Sequence, residues 1–401
     1  MNEEGERLDT NNSSYHYAGL TTDIKNGSSK SFSIITDGEK ITEIAVFNLD
    51  GTYYAISNSC AHKGGPLSKG FFEGDIVTCP WHGWKYSVKT GKSPHQGGDS
   101  VNSYPVKIIK DKIYVNSIPS NVGKKIFQPH KAYLKLKESV DDYLVHKSSD
   151  SILPVDDKKI RILGISTTNA NDKIAPRQST SEDALDFALE YAKKNLKAET
   201  VVIKLREVEF NHCEGYYSKN ANACIFPCSI SERDSEDQMI QIYEKVILWA
   251  DIVLIATPIR WGSASSLYYK MIQRMNCVQN QIITHDRYLI RDKVAAFIIT
   301  GGQDNVQHIA GELFSFWSQM GFIFGKFPFV GWTRGWYAED TENNYDSMAS
   351  SLAINTTTVK ESINSKLNKD LIKTVKGAFE MALLLKQNRY DQKVLYTKNE
   401  D

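Results

Sequence analysis

Two short cysteine–histidine pairs, sixteen residues apart, place the strongest constraint on how this chain can fold. The first pair is Cys60-Ala61-His62 and the second is Cys79-Pro80-Trp81-His82. Each pair presents one thiolate and one imidazole from a tight loop, and the two loops must meet if they share a metal. Such a set can hold tetrahedral zinc, or a 2Fe–2S cluster with two thiolates on one iron and two imidazoles on the other.

The residues around the two pairs favour the cluster over zinc. Gly64-Gly65-Pro66 and Gly83 let the backbone turn closely around inorganic sulfides and offer N–H groups to them. Zinc fingers place their histidines on a helix, whereas both loops here are flanked by β segments. The N-terminal part therefore predicts a small antiparallel β domain, with strands at Ile44–Phe47, Tyr53–Ile56, Asp75–Val77 and Val106–Val115.

This pattern resembles the Rieske family, whose Cys-x-His and Cys-x-x-His pairs it matches in full. The match continues through His82-Gly83-Trp84 and Thr90-Gly91 to Ser103-Tyr104-Pro105-Val106. The resemblance implies an all-β Rieske 2Fe–2S domain over residues 15–118, after a disordered tail at residues 1–14. Its metal ligands would be Cys60, His62, Cys79 and His82.

The chain departs from the high-potential members of that family. Those proteins carry an extra cysteine after each ligand pair, but residues such as Gly65 and Trp81 stand there in this chain. The resemblance therefore implies the ferredoxin type, with a potential in the lower part of the family's roughly −150 to +300 mV range. It also implies a histidine edge exposed to a partner protein. His95 lies where Rieske domains carry a loop over the cluster, and a surface role is its simpler interpretation.

From residue 159 onward, apolar strands alternate with helix-length segments. The predicted strands are Arg161–Ser166, Thr200–Leu205, Asp251–Pro258, Lys293–Gly302 and Lys326–Val330. The predicted helices are Ser179–Asn195, Glu236–Trp249, Ser263–Cys277, Val306–Met320 and Val359–Leu385. This alternation predicts a five-stranded parallel sheet in a doubly wound α/β domain over residues 159–388, before a polar tail at residues 389–401.

Residues 119–158 are predicted to be a linker between the two domains. Most of its residues are polar, but five apolar side chains fall at helical spacing. The linker is therefore expected to contain one short amphipathic helix that docks through Tyr133, Leu136, Val140, Tyr143 and Leu144.

Three polar or glycine-bearing loops follow the ends of predicted strands. In a doubly wound sheet, ligands bind beyond the carboxyl ends of the strands. The first loop leads to Ser179-Thr180-Ser181 at a helix start, which suits a phosphate but is also an ordinary helix cap. The other loops are Ala256–Ser265 and Thr300–Asn305, and the three together are what FMN needs.

These segments resemble the flavodoxin-like NAD(P)H-dependent FMN reductases, including the iron–sulfur flavoproteins, from about Lys159 to Val330. The resemblance implies that the FMN phosphate is held by Ser166, Arg177, Ser179, Thr180 and Ser181. The flavin ring would be lined by Pro258, Ile259, Arg260, Trp261, Gly262, Ser263, Thr300, Gly301 and Gly302. A flavin-free domain of this fold is the alternative. No Gly-x-Gly-x-x-Gly follows a strand, so NAD(P)H is expected to dock transiently on the flavin, as it does in this family.

A second group of cysteines, Cys213, Cys224 and Cys228, lies where iron–sulfur flavoproteins carry a four-cysteine motif for a 4Fe–4S cluster. Only three cysteines are present here, and ten residues separate Cys213 from Cys224. His212 or Cys277 is a candidate for a fourth ligand. Whether the group binds a second cluster or packs in a loop stays open.

Composition excludes some classes of partner. The 48 basic residues balance the 48 acidic ones, so there is no overall field that attracts nucleic acid or an anionic membrane. No apolar run approaches the roughly 20 residues needed to span a bilayer, and the acidic N-terminus lacks the pattern of a secretory signal. A cytoplasmic location is therefore expected.

Together these features predict an electron-transfer oxidoreductase. NAD(P)H would reduce FMN, and single electrons would pass to the Rieske cluster and on to a redox partner protein or a small-molecule acceptor. A second hypothesis is a flavin-dependent reductase of a quinone or other small oxidant, supplied through the Rieske domain, and a third is a redox carrier or sensor without turnover. A Rieske oxygenase is disfavoured because no His-x4-His pair follows the cluster segment. Relatives of the flavin domain form dimers or tetramers, so the resemblance also implies a homo-oligomer.

Overall fold

The computed structural model describes most of the chain, with gaps at several loops and at both ends. The described residues are 14–36, 40–94, 98–148, 159–170, 179–218, 220–301, 305–333 and 366–387. The chain forms two compact units. Unit 1 is Met1–Pro129 with Gly215–Ala223, and unit 2 is His130–Glu214 with Cys224–Asp401. The predicted tails and His95 lie outside the described residues, apart from Ser14.

Unit 1 is built from short antiparallel strands in three small sheets. One sheet orders its strands β1-β10-β9, a second β2-β3-β4-β8 and a third β5-β6-β7. The strands are β1 Tyr15–Leu20, β2 Ser29–Thr36, β3 Lys40–Leu49, β4 Thr52–Ser57, β5 Phe71–Glu73, β6 Ile76–Thr78, β7 Lys85–Ser87, β8 Ser103–Tyr104, β9 Val106–Ile109 and β10 Lys112–Asn116. The prediction of an N-terminal β domain is confirmed.

The predicted strand Val106–Val115 is two strands rather than one. Ile109 pairs with Lys112, so β9 and β10 form a hairpin around a turn of Lys110 and Asp111. Lys110 has a positive φ of 58°, which lets the chain reverse within two residues. Neither residue is a glycine or asparagine, so the sequence carries no strong turn signal at this point.

Unit 2 contains a five-stranded sheet with strand order β12-β11-β13-β14-β15. The strands are β11 Arg161–Ser166, β12 Glu199–Lys204, β13 Ile252–Pro258, β14 Val294–Gly301 and β15 Ile323–Thr333, and every pair is parallel. The predicted doubly wound α/β fold with a five-stranded parallel sheet is confirmed. The strand order reverses between β11 and β13, so this is the switch point where such folds bind ligands.

Helices cover both faces of this sheet because successive strand residues point to opposite sides. On one face, α2 Thr180–Asn195 and α7 Lys366–Gln387 pack on side chains such as Ile162 and Leu254. On the other face, the neighbouring residues Leu163 and Val253 pack in a core with α1 Lys131–Ser148, α4 Met239–Glu244, α5 Ser266–His285 and α6 Val306–Gln319. The one remaining α-helix of the described residues is the short α3, Ser229–Arg233.

The predicted linker helix is α1, and it is longer than expected. It has 18 residues, and it buries Tyr133, Leu136, Val140 and Leu144 in the core of unit 2. Two other predicted helices have different bounds. Glu236–Trp249 forms α4 followed by a π-helical turn at Lys245–Trp249, whereas α5 starts after its cap Ser265 and extends to His285. Among the described residues, no helix is long and apolar enough to cross a membrane.

Candidate metal centre and flavin site

The four predicted cluster ligands lie together in unit 1. Cys60 follows β4 and Cys79 follows β6, and all four side chains are at most 4% exposed. The two cysteine side chains are within hydrogen-bond distance of each other, and the centroids of the His62 and His82 rings are 4.9 Å apart. Two thiols and two imidazoles are thus presented side by side. Their roles as ligands remain a prediction, which this placement supports.

The two ligand loops have the same backbone geometry. The N–H of Gly64 donates to the carbonyl of Cys60 at 2.8 Å, and the N–H of Gly83 donates to that of Cys79 at 3.1 Å. Gly65 lies where the loops meet, since a Cβ added there would be 2.8 Å from Cys79 Sγ and 2.9 Å from Trp81 Cγ. A larger residue would therefore displace a ligand thiol. This close approach and the donor set fit a 2Fe–2S cluster, in which each iron takes two protein ligands.

The surroundings of the two thiols shift their pKa values in opposite directions. Hydrogen bonds from the Cys79 thiol and from Tyr86 outweigh burial and lower the pKa of Cys60 to about 7. The Tyr86 hydroxyl lies 3.4 Å from Cys60 Sγ. The pKa of Cys79 is raised, because it shares its proton with Cys60 and because it is buried. The pair therefore holds one proton more tightly than the other.

The His62 ring packs against an aromatic side chain that is in turn hydrogen-bonded to a buried carboxylate. Its ring stacks on Trp84 with centroids 4.2 Å apart and an interplanar angle of 7°. Trp84 Nε1 donates to Asp99 Oδ2 at 3.2 Å, and the N–H of Phe127 donates to Asp99 Oδ1 at 2.7 Å. Asp99 is fully buried. The sequence did not single out Asp99 or Phe127, because neither belongs to the ligand motif.

His82 is covered by residues from far along the chain. Its Nε2 lies 2.7 Å from the carbonyl oxygen of Ala223, and its ring centroid is 5.4 Å from that of Tyr216. Exposure is only 2% for His62 and 1% for His82. The expectation of an exposed histidine edge is therefore wrong, because Ala223 and Tyr216 of the same chain cover His82.

The predicted phosphate residues lie at the carboxyl end of β11 and the start of α2. Ser166 is buried and donates to Glu182 Oε2 at 3.0 Å. Ser179 Oγ and Ser181 Oγ are 3.2 Å apart, and Thr180 Oγ1 is 2.9 Å from Thr300 Oγ1. The structure therefore brings Thr180 next to a residue predicted to line the flavin ring. Arg177 lies outside the described residues.

A buried carboxylate in the first turn of α2 was missed by the sequence prediction. Glu182 pairs with Arg206, and Lys204 Nζ lies 2.6 Å from its Oε1. Burial raises the pKa of Glu182, but hydrogen bonds from Arg206, Lys204 and Ser166 outweigh burial and hold the pKa at about 2. Glu182 is therefore ionised, with two cations beside it at the edge where a phosphate is predicted to bind.

The residues predicted to line the flavin ring lie at the ends of β13 and β14. Arg260 and Ser263 exchange backbone hydrogen bonds at 2.8 and 3.0 Å, closing a tight turn. Within it, Trp261 has a positive φ of 51° and is 97% exposed. A bulky residue rarely adopts this conformation, and a wholly exposed indole beyond a sheet edge suits contact with a planar ligand. The other ring-lining residues placed here are Pro258, Ile259, Gly262, Thr300 and Gly301, whereas Gly302 lies outside the described residues.

Two contacts hold these loops together. Ile259 donates its N–H to the carbonyl of Thr300 at 2.7 Å, and a Cβ added to Gly301 would lie 2.6 Å from Ile259 Cβ. Asn305 Nδ2 donates to the carbonyl of Gly262. Gly301 is therefore required for close approach of the two strand ends, and Asn305 is a further residue that the sequence prediction did not single out.

The second cysteine group is assembled from separate segments of unit 2. Cys213 is exposed, Cys224 and Cys228 are half-buried, and Cys277 is buried on α5. The pKa of Cys224 is raised to about 12, mainly by burial and to a smaller extent by the neighbouring Cys228 and Cys213. None of the six cysteines, all of which are among the described residues, forms a disulfide. Among the described residues, no group of three or more His, Cys, Asp or Glu could hold a single metal ion.

Comparison with known families identifies both halves of the chain. The family model for the Rieske [2Fe-2S] domain matches residues 14–105, and that for NADPH-dependent FMN reductase matches residues 160–334. The predicted cofactors are therefore those of the matched families, a 2Fe–2S cluster and FMN, with NAD(P)H as the co-substrate.

Individual relatives match the Rieske half. The 3-phenylpropionate/cinnamic acid dioxygenase ferredoxin subunit of Escherichia coli K12 is 36% identical over 75 residues, which are 18% of this chain and 71% of that protein. Apoptosis-inducing factor 3 of Homo sapiens is 31% identical over 107 residues, or 26% of this chain, and the match spans only 17% of that protein.

A solved structure resembles a larger part of the chain. RosB with the bound intermediate 8-demethyl-8-formylriboflavin-5'-phosphate aligns over 59% of this chain and 84% of its own, at 19% identity and a TM-score of 0.43. A similarity at this level carries no argument about function. The chain belongs to the Rieske [2Fe–2S] family through residues 14–105 and carries an NADPH-dependent FMN reductase domain over residues 160–334.

Proposed function

We propose that the protein moves electrons between NAD(P)H and a one-electron acceptor, through FMN in unit 2 and the 2Fe–2S cluster in unit 1. The acceptor is a redox partner protein or a small molecule. FMN exchanges electrons in pairs or singly when bound, so one NAD(P)H releases two electrons and one proton and reduces two one-electron acceptors. The proposal deepens the family assignment by giving a direction and a stoichiometry.

One observation carries the proposal. Two thiols and two imidazoles lie side by side in a chain whose other half matches the FMN reductases. The two predicted redox groups belong to one polypeptide, so electron transfer between them does not require a second protein molecule. A covalent link keeps the two groups at a high effective concentration relative to each other.

The side chains of each half have separate roles in the proposal. Cys60 and Cys79 would bind one iron as thiolates, and His62 and His82 the other as neutral imidazoles. In unit 2, the hydroxyl groups and N–H groups at Ser179–Ser181 would bind the FMN phosphate. The turn that carries Trp261 would lie against the ring. These roles agree with where the structure places the residues, and each can be tested by substitution.

Anaerobic stopped-flow mixing with NADPH or NADH tests the relay. We expect the flavin absorbance to bleach and the spectrum of the reduced cluster, followed by EPR on frozen samples, to appear afterwards. The variant His82→Ala should lose the cluster signal and the reduction of a one-electron acceptor. His16→Ala is the matched control, because His16 lies on β1 outside the ligand loops, and it should retain both signals.

Two outcomes would contradict the proposal. In the first, NAD(P)H bleaches the flavin while the cluster of the wild-type protein stays oxidised. In the second, reduced ferredoxin supports turnover but neither nicotinamide does, and electrons then run from the Rieske domain to the flavin. A homo-oligomeric state and a cytoplasmic location remain predictions of the sequence, and the domain boundaries at residues 118 and 159 remain predictions as well.

A further inference from the structure

One segment of the chain packs in unit 1 although the residues on both sides of it belong to unit 2. This capping segment is Gly215–Ala223. It forms two short 3-10 turns, Tyr216–Ser218 and Ala221–Ala223, on either side of residue 219, which lies outside the described residues. It follows β12 in the chain, far from the Rieske sequence, and no feature of the Rieske motif requires it.

The capping segment touches one predicted ligand, His82. The carbonyl oxygen of Ala223 lies 2.7 Å from His82 Nε2, and the ring of Tyr216 meets the His82 ring edge-on with centroids 5.4 Å apart. The Tyr216 hydroxyl oxygen also lies 3.5 Å from the position that a Cβ on Gly83 would occupy. Ala223 and His82 are each 1% exposed. The contact between the capping segment and His82 is therefore buried and closely packed.

Hydrogen bonds fix the backbone of the segment and of the residues that bound it. Ala223 donates its N–H to the carbonyl of Asn220 at 2.9 Å. In unit 2, Arg233 Nη2 lies 3.0 and 2.9 Å from the two carboxylate oxygens of Glu214, and Asn280 Nδ2 donates to the carbonyl of Cys224 at 2.8 Å. Within unit 1, the Ala223 backbone is thus held by the turn that it closes with Asn220.

The contact determines which nitrogen of His82 can bind a metal. A carbonyl oxygen can only accept a hydrogen bond, so Nε2 must carry the proton in this contact. In a neutral imidazole the other nitrogen, Nδ1, is then unprotonated and is the one that can donate a lone pair to a metal. Metal-binding histidines are commonly oriented in this way by a carbonyl or carboxylate on the far nitrogen.

We propose that the capping segment is part of the metal centre. Ala223 and Tyr216 are positioning residues that hold His82 in the tautomer and orientation for iron, and they shield the His82 edge from solvent. The inference rests on the proposed function only in taking His82 as an iron ligand.

The test uses the full-length holoprotein reduced with dithionite, so that it does not depend on NAD(P)H or on electron transfer from FMN. Tyr216→Ala removes the ring that covers His82, and Tyr216→Phe keeps it. Tyr217→Ala is the matched control, because Tyr217 is the next residue in the same turn and is 42% exposed. Iron and flavin per chain, pulsed EPR of the histidine nitrogens, and relaxation of the cluster signal by a soluble gadolinium chelate are measured for each.

We expect Tyr216→Ala either to lose iron while retaining flavin, or to keep iron with an altered quadrupole coupling of one remote imidazole nitrogen and faster relaxation by the chelate. Tyr216→Phe and Tyr217→Ala should match the wild type. Ala223→Leu, which adds bulk at a buried backbone contact, should shift the same nitrogen coupling.

The inference is overturned if Tyr216→Ala and Ala223→Leu both match the wild type in iron content, nitrogen coupling and relaxation. It is also overturned if Tyr217→Ala changes these quantities as much as Tyr216→Ala does. Either result leaves the relay from NAD(P)H untouched, whereas failure of the relay would leave these spectroscopic shifts in place. The two proposals can therefore fail separately.

Discussion

Glu182 is a single residue whose neighbours reverse what burial alone would do. A buried carboxyl usually becomes a weaker acid, but Arg206, Lys204 and Ser166 all donate to Glu182. Its pKa falls from 4.5 to about 2, so it is ionised in the folded chain at neutral pH. Its single negative charge also partly offsets the two positive charges of Lys204 and Arg206 beside it.

The substitution Glu182→Gln should destabilise unit 2 by about 3 kcal/mol near pH 7, since the pKa is lowered from 4.5 to about 2 and each pKa unit is worth about 1.4 kcal/mol. The folded-state pKa is depressed, so this stabilisation is present above the unfolded pKa of 4.5 and is lost as the pH falls toward 2. Urea unfolding of the apoprotein, followed by helical circular dichroism, measures the difference at several pH values. The signal reports unit 2, because the α-helices of the described residues lie there.

Glu190→Gln on the same helix is the control for this prediction. Glu190 forms a surface pair with Lys194, and its side chain is 40% exposed, so its loss should change the free energy of unfolding by less than about 0.5 kcal/mol. A difference between Glu182→Gln and the wild type that stays constant from pH 7 to pH 3 would contradict the assignment.

The residues of the metal site differ in how far a sequence can predict them. Cys60, His62, Cys79 and His82 are recognisable because their chemistry resides in side chains at fixed spacing. The acceptor beside His82 is the backbone carbonyl of Ala223, which lies 141 positions away. A backbone carbonyl is present at every residue, so nothing in the sequence marks this one, and only the fold selects it.

At the scale of elements, helix α7 and strand β15 approach each other through their backbones. A Cβ added to Gly377 in α7 would lie 2.1 Å from the carbonyl oxygen of Lys326, and one added to Gly325 would lie 2.3 Å from the carbonyl oxygen of Gly377. The strand departs from regular pairing here, since Phe324 pairs with Ala295 but Phe329 pairs with Phe297. Gly325 and Gly377 therefore allow α7 to pack closely against the irregular part of β15.

Gly377→Ala should lower the free energy of unfolding by about 2 kcal/mol or more, because the new methyl group would overlap a backbone carbonyl that cannot rotate away. Gly311→Ala in α6 is a matched change, with nothing within 4 Å of the added Cβ. It should raise the free energy by about 0.5–1 kcal/mol through helix propensity. The free energy of unfolding of both variants is measured by urea unfolding. Equal effects of the two changes would contradict the close approach of Gly377 to the Lys326 carbonyl.

The elements also show where sequence periodicity is sufficient and where it is not. The bounds of β11 and the core side chains of α1 follow from runs of apolar residues, and the structure agrees with them. The sequence predicted Lys326–Val330 as a strand, but β15 begins at Ile323 and contains Phe327 with a positive φ of 51°. That irregularity depends on the fit to α7, which no local pattern encodes.

At the scale of the whole molecule, the proposed relay runs within one chain. The rate at which NAD(P)H reduces the cluster should therefore be independent of protein concentration once nicotinamide is saturating, because no second protein molecule has to be met. Anaerobic stopped-flow at several protein concentrations measures this. A rate that rises in proportion to concentration would mean that electrons pass between molecules.

The net charge supports a related expectation. Equal numbers of acidic and basic residues give no long-range field, so ionic strength should have little influence on the reduction of the cluster. A steep fall in the rate of cluster reduction with added salt would indicate encounters between molecules that are steered by charge. The control is the same stopped-flow measurement without added salt, at the same nicotinamide concentration.

The capping segment lies between stretches of unit 2 in the sequence but packs in unit 1, so the evolution of one half should constrain that of the other. Replacing residues 1–129 with another ferredoxin by recombination would leave Tyr216 and Ala223 fitted to a surface that is no longer there. The side-chain part of this contact is the ring of Tyr216, because the acceptor at Ala223 is a backbone carbonyl. Homologous chains that have kept both halves should therefore retain an aromatic residue at position 216, whereas position 223 should tolerate other small residues.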